Sequence, residues 1–247
     1  MYHFFVDQSQ ISGDTVEITG PDVNHMKNAV RLKPGDIVRI SDGGETDYFC
    51  SIKEYSDDAA ILEITERGVQ NTELGIDIKV FIGIPKGDRM ETVIEKAVEL
   101  GTTEIIPVDM RYCVVKLDAK RAEKKVSKWQ ELALTAAKQS KRSVIPKVSP
   151  VLSFKNAAKY FDECELKIVP YENENGMAET AEVFKSLKNH KSVGIFTGPE
   201  GGFAEEEINA LREGAHIISL GRRILRADTA PICMLSAMML YLETTES

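Results

Sequence analysis

The chain has 247 residues, 43% of them apolar and 28% charged, with a net charge of −8. Such a composition belongs to an ordinary folded protein of one large domain or two smaller ones, with no low-complexity run or fixed-period repeat. The acidic balance argues against indiscriminate coating of nucleic acid, which depends on neutralising phosphates, but leaves room for local basic patches.

The opening MYHFFVDQ has neither the basic start nor the apolar core of a signal peptide, and no stretch approaches the roughly 20 apolar residues that span a bilayer. A cytoplasmic protein without a membrane segment is expected. Cys50, Cys113, Cys164 and Cys233 are far apart, with no C-x-x-C pair and no nearby histidine to complete a zinc set. They read as reduced structural thiols, and no metal is expected.

Residues 1–70 read as short strands, Tyr2–Val6, Thr15–Ile18, Ile37–Ser41, Tyr48–Ile52 and Ala60–Thr65, separated by turns rich in Gly, Pro and Asp. That pattern predicts a small β-barrel. Pro21–Arg31 reads as its one helix, and Lys27, Arg31, Lys33 and Arg39 form a basic cluster around it. The polar stretch 66–76 then leads into the apolar run Ile78–Ile84, and the boundary is placed there, giving domains 1–72 and 73–247.

Beyond that boundary strands and helices alternate: Ile78–Ile84, helix 88–100, Ile105–Val108, helix 119–140, Leu166–Val169, helix 178–188, Val193–Thr197, helix 204–214, Ile217–Leu220 and helix 230–243. The rhythm predicts an α/β domain with a mostly parallel sheet. Asp88 and Glu91 have capping-box spacing, and Gly101 follows the same helix as a stop. Helix 119–140 places Trp129, Ala133 and Ala136 on its apolar side. The last helix is apolar almost all round, so it is expected to be buried on most sides, in a core or at a subunit interface.

Ligands of parallel α/β domains bind beyond the carboxyl ends of the strands. Three loops there stand out: Pro170–Gly176, Gly198–Phe203 (GPEGGF) and Gly221–Ala230 (GRRILRADTA). The second precedes a helix whose first turn holds Glu205, Glu206 and Glu207. Carboxylates at a helix start disfavour a phosphate, so a cationic or neutral cofactor fits this loop better; the plain alternative is a glycine-rich turn. Neither G-x-x-x-x-G-K-[ST] nor G-x-G-x-x-G occurs. Arg222, Arg223 and Arg226 beside Asp228 could hold phosphate or stabilise charge on a reacting base, or form a solvated loop with a surface Arg–Asp pair.

TGPEGGF (197–203) followed by LGRRILRADTAP (220–231), with VRLKPGD (30–36), KGDRMETVIEKAVELGTTEIIPV (86–108) and AAKQSKR (136–142), resembles the RsmE family of the SPOUT methyltransferase superfamily nearly end to end. Those bacterial enzymes methylate N3 of a uridine in 16S ribosomal RNA. The resemblance implies a PUA-like RNA-binding barrel ahead of a SPOUT domain with a C-terminal trefoil knot. It further implies S-adenosylmethionine (AdoMet) as cofactor, a homodimer, and 16S rRNA, within the small ribosomal subunit, as partner. By motif position the cofactor pocket would use Pro170, Gly198, Pro199, Gly202, Leu220, Gly221, Ile224, Leu225 and Arg226. Asp228 stands where the family commonly has Glu, one methylene shorter.

Arg226 is expected to stabilise charge on the uracil during transfer, with Asp228 as its catalytic companion. The base is left open between Asp228, Glu200 and water, because no histidine lies in these loops. Residues 118–147 carry nine Lys and Arg against three acidic residues. Gln139 and Arg142, with Lys27, Arg31 and Lys33, are the expected RNA contacts. The rival readings are a SPOUT enzyme acting on another RNA or atom, and an RNA-binding assembly factor without catalysis.

Overall fold

Two units make up the computed structural model, which describes residues 1–44, 46–68, 72–174 and 176–244. The first unit is Met1–Thr72 with Ala137–Ile145, and the second is Glu73–Ala136 with Pro146–Ser247. Residues 69–71 of the expected linker lie outside the described residues, and 66–68 continue a strand.

In the first unit, β1 (His3–Phe5), β2 (Ile11–Ser12), β3 (Thr15–Thr19), β4 (Ile37–Ser41), β5 (Asp47–Tyr55) and β6 (Ala59–Gly68) form one sheet in the order β1-β4-β5-β6-β3-β2. The β1–β4 pair is parallel and the others are antiparallel. Strict alternation sets the faces: in β3, Val16 and Ile18 are buried while Thr15, Glu17 and Thr19 are exposed. They join Phe4, Met26, Val38 and Leu62 in a single core. Register shifts in the β5–β6 pair at Phe49/Cys50 and Ile52/Glu54 bend this sheet.

The helix expected over Pro21–Arg31 is shorter and broken. After α1 (Pro21–Asn24) the chain widens into a π-helical turn over His25–Ala29, anchored by the fully buried Met26. Arg31 then takes a left-handed φ of 56°. This conformation is costly for a side chain bearing Cβ, so surrounding contacts must hold it.

Seven parallel strands build the second unit: β7 (Asp77–Gly83), β8 (Glu104–Asp109), β9 (Lys147–Val148), β10 (Leu152–Ser153), β11 (Leu166–Pro170), β12 (Ser192–Thr197) and β13 (His216–Ile218). The path runs β10-β8-β7-β12-β11-β13, with β9 also paired to β8. Its helices are α2 (Arg89–Glu99), α3 (Ala119–Ser140), whose last residues belong to the first unit, α4 (Phe154–Phe161), α5 (Ala178–Ser186), α6 (Glu205–Arg212) and α7 (Thr229–Thr244). The central strands are apolar on both sides because helices cover a parallel sheet twice. Phe81 and Phe196 stack at 5.4 Å, and Phe161 packs edge-on to both.

In the second unit three elements escape the sequence pattern: β9, β10 and α4. The two strands have two residues each, too short to show a period, and α4 follows β10 directly with Ser153 as its N-cap. Asp88 does occupy the N-cap of α2, but its side chain makes no capping bond, contrary to the capping-box expectation. Gly101 ends that helix at φ 89°.

The last helix departs from expectation too. Pro231, Met234, Leu235, Met238 and Leu242 form one buried stripe, while Cys233 and Leu240, the latter 56% exposed, lie outside it. Within a single chain α7 is therefore buried along one face, not on most sides. Among the described residues no helix is long and apolar enough to cross a membrane.

Candidate cofactor and substrate site

The loops following β11, β12 and β13 enclose two adjoining cavities in the second unit, of about 440 and 520 Å³. Both volumes lie in the range of small-molecule sites. The first is walled by Tyr171, Met177 and the run Leu220–Leu225; the second by Arg89, the run Thr197–Glu200 with Gly202, and Arg226. Pro170, Glu172, Ile224, Leu225 and Ala230 belong to both. All nine positions matched to the family's cofactor pocket therefore line one cavity or the other. Asn175 of the first loop lies outside the described residues.

Glycine shapes this site at two places. At the end of β7, a Cβ on Gly83 would stand 2.5 Å from Pro199 Cδ and 2.7 Å from its nitrogen, so only glycine lets the GPEGG loop cross the strand so closely. In that loop a Pro199–Gly202 turn closes with a 2.9 Å bond from the Gly202 N–H to the Pro199 carbonyl, and Gly202 adopts φ 69°. A Cβ on Gly202 would meet Glu172 Oε1 at 2.6 Å, so the bare main chain forms a cradle that any side chain would fill.

The start of α6 is already satisfied by its own acids. Buried Glu207 accepts from the Ala204 N–H at 2.9 Å and from the Arg111 N–H at 2.9 Å, and Glu206 pairs with the Arg111 side chain. These carboxylates occupy the positive helix end that a phosphate would use.

Other charges divide into tied and open groups. Glu200 accepts from Arg89 at 2.6 Å and from the Lys86 N–H at 3.1 Å, which engages one of the residues considered as a base. Glu174 faces Arg212 at 3.5 Å. Asp228 is partly buried and lines neither cavity; its Oδ1 is shut from solvent and receives no hydrogen bond from any described residue. The Arg226 carbonyl accepts from Thr229 and Ala230, starting α7, while its exposed side chain lines the second cavity. Ile224 is 86% exposed, an apolar surface at the wall the cavities share. The sequence reading singles out the first loop but not Glu172, whose role depends on what lies opposite it.

One of the expected RNA contacts, Arg142, is placed differently, as is Arg39 of the basic cluster. Arg142 is 2% exposed and Arg39 is 5% exposed, so neither side chain is open to RNA. Arg39 pairs with Asp47 at 2.5 Å and also holds Ser143 and the Lys141 carbonyl. Lys27, Arg31, Lys33 and Gln139 are exposed, all in the first unit.

Residues 72–239 match the model of an RNA methyltransferase domain, and residues 18–65 that of an RNA methyltransferase PUA domain. The ribosomal RNA small subunit methyltransferase E of Bacillus subtilis is 36% identical over 96% of this chain and 95% of its own length. The chain belongs to the ribosomal RNA small subunit methyltransferase E family. The protein of that name from Synechocystis is 28% identical, covering 98% of this chain and 78% of its own. A family member from Neisseria gonorrhoeae, whose crystal structure is bound to S-adenosyl methionine, superposes with a TM-score of 0.83 at 30% identity, over 96% of each chain. Family membership accounts for the PUA-like first unit and the α/β methyltransferase second unit.

Proposed function

We propose that this protein transfers a methyl group from AdoMet to N3 of a specific uridine in 16S rRNA of the small ribosomal subunit. The observation that carries this reading is the meeting of three loops around two joined cavities, with a bare-backbone cradle at Gly202 and the start of α6 already occupied by its own carboxylates. Relatives of matching length are named for small-subunit rRNA methylation, and one of them is crystallised with AdoMet.

Pro170, Gly198, Pro199, Gly202, Leu220, Gly221, Ile224, Leu225 and Arg226 would hold the cofactor, much of it through main chain. Its sulfonium supplies an activated methyl group. Arg226 offsets the negative charge that grows on the uracil carbonyl oxygens as N3 becomes nucleophilic. Asp228, the expected catalytic companion of Arg226, lines neither cavity, and its Oδ1 meets no hydrogen-bond donor among the described residues. Exposed Lys27, Arg31, Lys33 and Gln139 contact the RNA from the PUA-like unit. The family resemblance supports a trefoil knot in the second unit, a homodimer and a cytoplasmic setting. The apolar residues that α7 leaves outside its buried stripe support the dimer.

Calorimetric titration with AdoMet tests the site. Saturable binding by the wild type, lost in Gly202→Glu, is expected, because that side chain would fill the cradle and meet the Glu172 carboxylate. Transfer to unmethylated small subunits, mapped to uridine N3, completes the assignment. A folded wild type that binds RNA but not AdoMet would instead be an assembly factor.

A further inference from the structure

The residues proposed to hold the cofactor line both cavities, so a group on the wall the cavities share stands beside the cofactor, where a proton acceptor is needed. Of the five residues lining both, Pro170, Ile224, Leu225 and Ala230 have side chains that cannot exchange a proton; Glu172 can. Its exposed carboxylate makes no hydrogen bond or ion pair with any described residue and faces the Gly202 cradle, Oε1 lying 2.6 Å from the place of an absent Cβ. Of the neighbouring acids, Glu200 is engaged by Arg89 and Glu174 by Arg212, while Asp228 lines neither cavity. Arg222 and Arg223 line the first cavity, and Arg89 and Arg226 the second.

We infer that Glu172 is the catalytic base that takes the N3 proton of the target uracil, an assignment that rests on the function proposed above. The N3–H bond breaks as an O–H bond forms on the Glu172 carboxylate, and the nitrogen keeps the electron pair. With that pair N3 bonds the methyl carbon while the sulfur–carbon pair returns to sulfur, leaving a neutral thioether. A free imide is a weak acid and a carboxylate a weak base, so the proton leaves as the new N–C bond forms, when N3 is most acidic. Arg226 facilitates the same step by balancing charge on the carbonyl oxygens.

The test compares wild type, Glu172→Gln and Glu172→Asp by AdoMet calorimetry and by single-turnover transfer to unmethylated small subunits between pH 6.5 and 9.5. Glu172→Gln should keep its AdoMet affinity within about threefold yet lose at least about 100-fold in transfer rate near pH 7. The deficit should narrow as pH rises, since bulk hydroxide then ionises the imide, and Glu172→Asp should fall between. A Gln variant with the wild-type rate, or one slowed equally at every pH, overturns the assignment while leaving the function intact. Loss of AdoMet binding in that variant also overturns it, making Glu172 a holder of the cofactor's positive end. A wild type that binds AdoMet but transfers nothing to uridine defeats the functional reading itself, and this inference with it.

Discussion

His3 shows how a single side chain in β1 reads out its surroundings. Burial, aided by the Arg39 guanidinium, lowers its pKa from the usual 6.5 to about 4, and its ring bonds Ser41 Oγ at 2.7 Å as the neutral form. As pH falls, the unfolded chain takes up this proton near pH 6.5 while the folded chain resists until about 4. The stability contributed by the neutral ring is therefore complete above pH 6.5 and is lost as pH falls through that window. Urea midpoints measured at pH 7.5 and pH 5 should show a drop in the wild type that is smaller in His3→Gln; equal drops would remove His3 as a source of the acid sensitivity. The patterning of β1 marks His3 only as one residue of a short strand. Its titration depends on burial and on Arg39 in the neighbouring strand, which no local sequence window contains.

At the scale of elements, Ala137–Ile145 is the instructive segment. It follows more than sixty residues after the end of the first unit's other stretch, yet it packs there, because Arg39 donates to the Lys141 carbonyl at 2.8 Å and to Ser143 Oγ at 3.0 Å. Asp47 completes the cluster, accepting from Arg39 and Ser143, and Lys138 reaches Asp22 at 3.0 Å. Removing one member of a buried ion pair leaves the other charge uncompensated, at a cost of about 3–5 kcal/mol, whereas replacing both is far milder. Arg39→Met should thus lower unfolding stability in urea by about 3 kcal/mol, and adding Asp47→Leu should restore more than half of it. A double variant no more stable than the single one would show that the cluster matters for its hydrogen bonds and not its buried charge. Helix 119–140 is legible in the sequence because its apolar side repeats along 22 residues. That its final turn belongs to a different unit from its beginning is not legible, since the periodicity continues unbroken while the packing partner changes.

For the molecule as a whole, the division of labour between RNA contact and chemistry predicts separable defects. Arg31→Glu should weaken binding to small-subunit RNA and reduce the slope of log affinity against log salt by about one or more, with AdoMet affinity unchanged, because each phosphate contact releases counterions. Arg31→Gly removes the charge while easing the φ of 56°, so a similar RNA defect in both variants would assign the effect to charge and not to backbone strain. An unaltered salt slope in both would remove this side chain from the RNA contact. By itself the sequence determined the alternation of strands and helices, the parallel α/β class and the loops that carry the site, because these follow from local periodicity, turn chemistry and the motifs GPEGG and LGRRILR. The tertiary structure decided which charges are available: it buried Arg39 and Arg142, tied Glu200 to Arg89, and left Glu172 open where the cavities join. Availability depends on which distant groups compensate a charge, and a linear sequence does not record those distances.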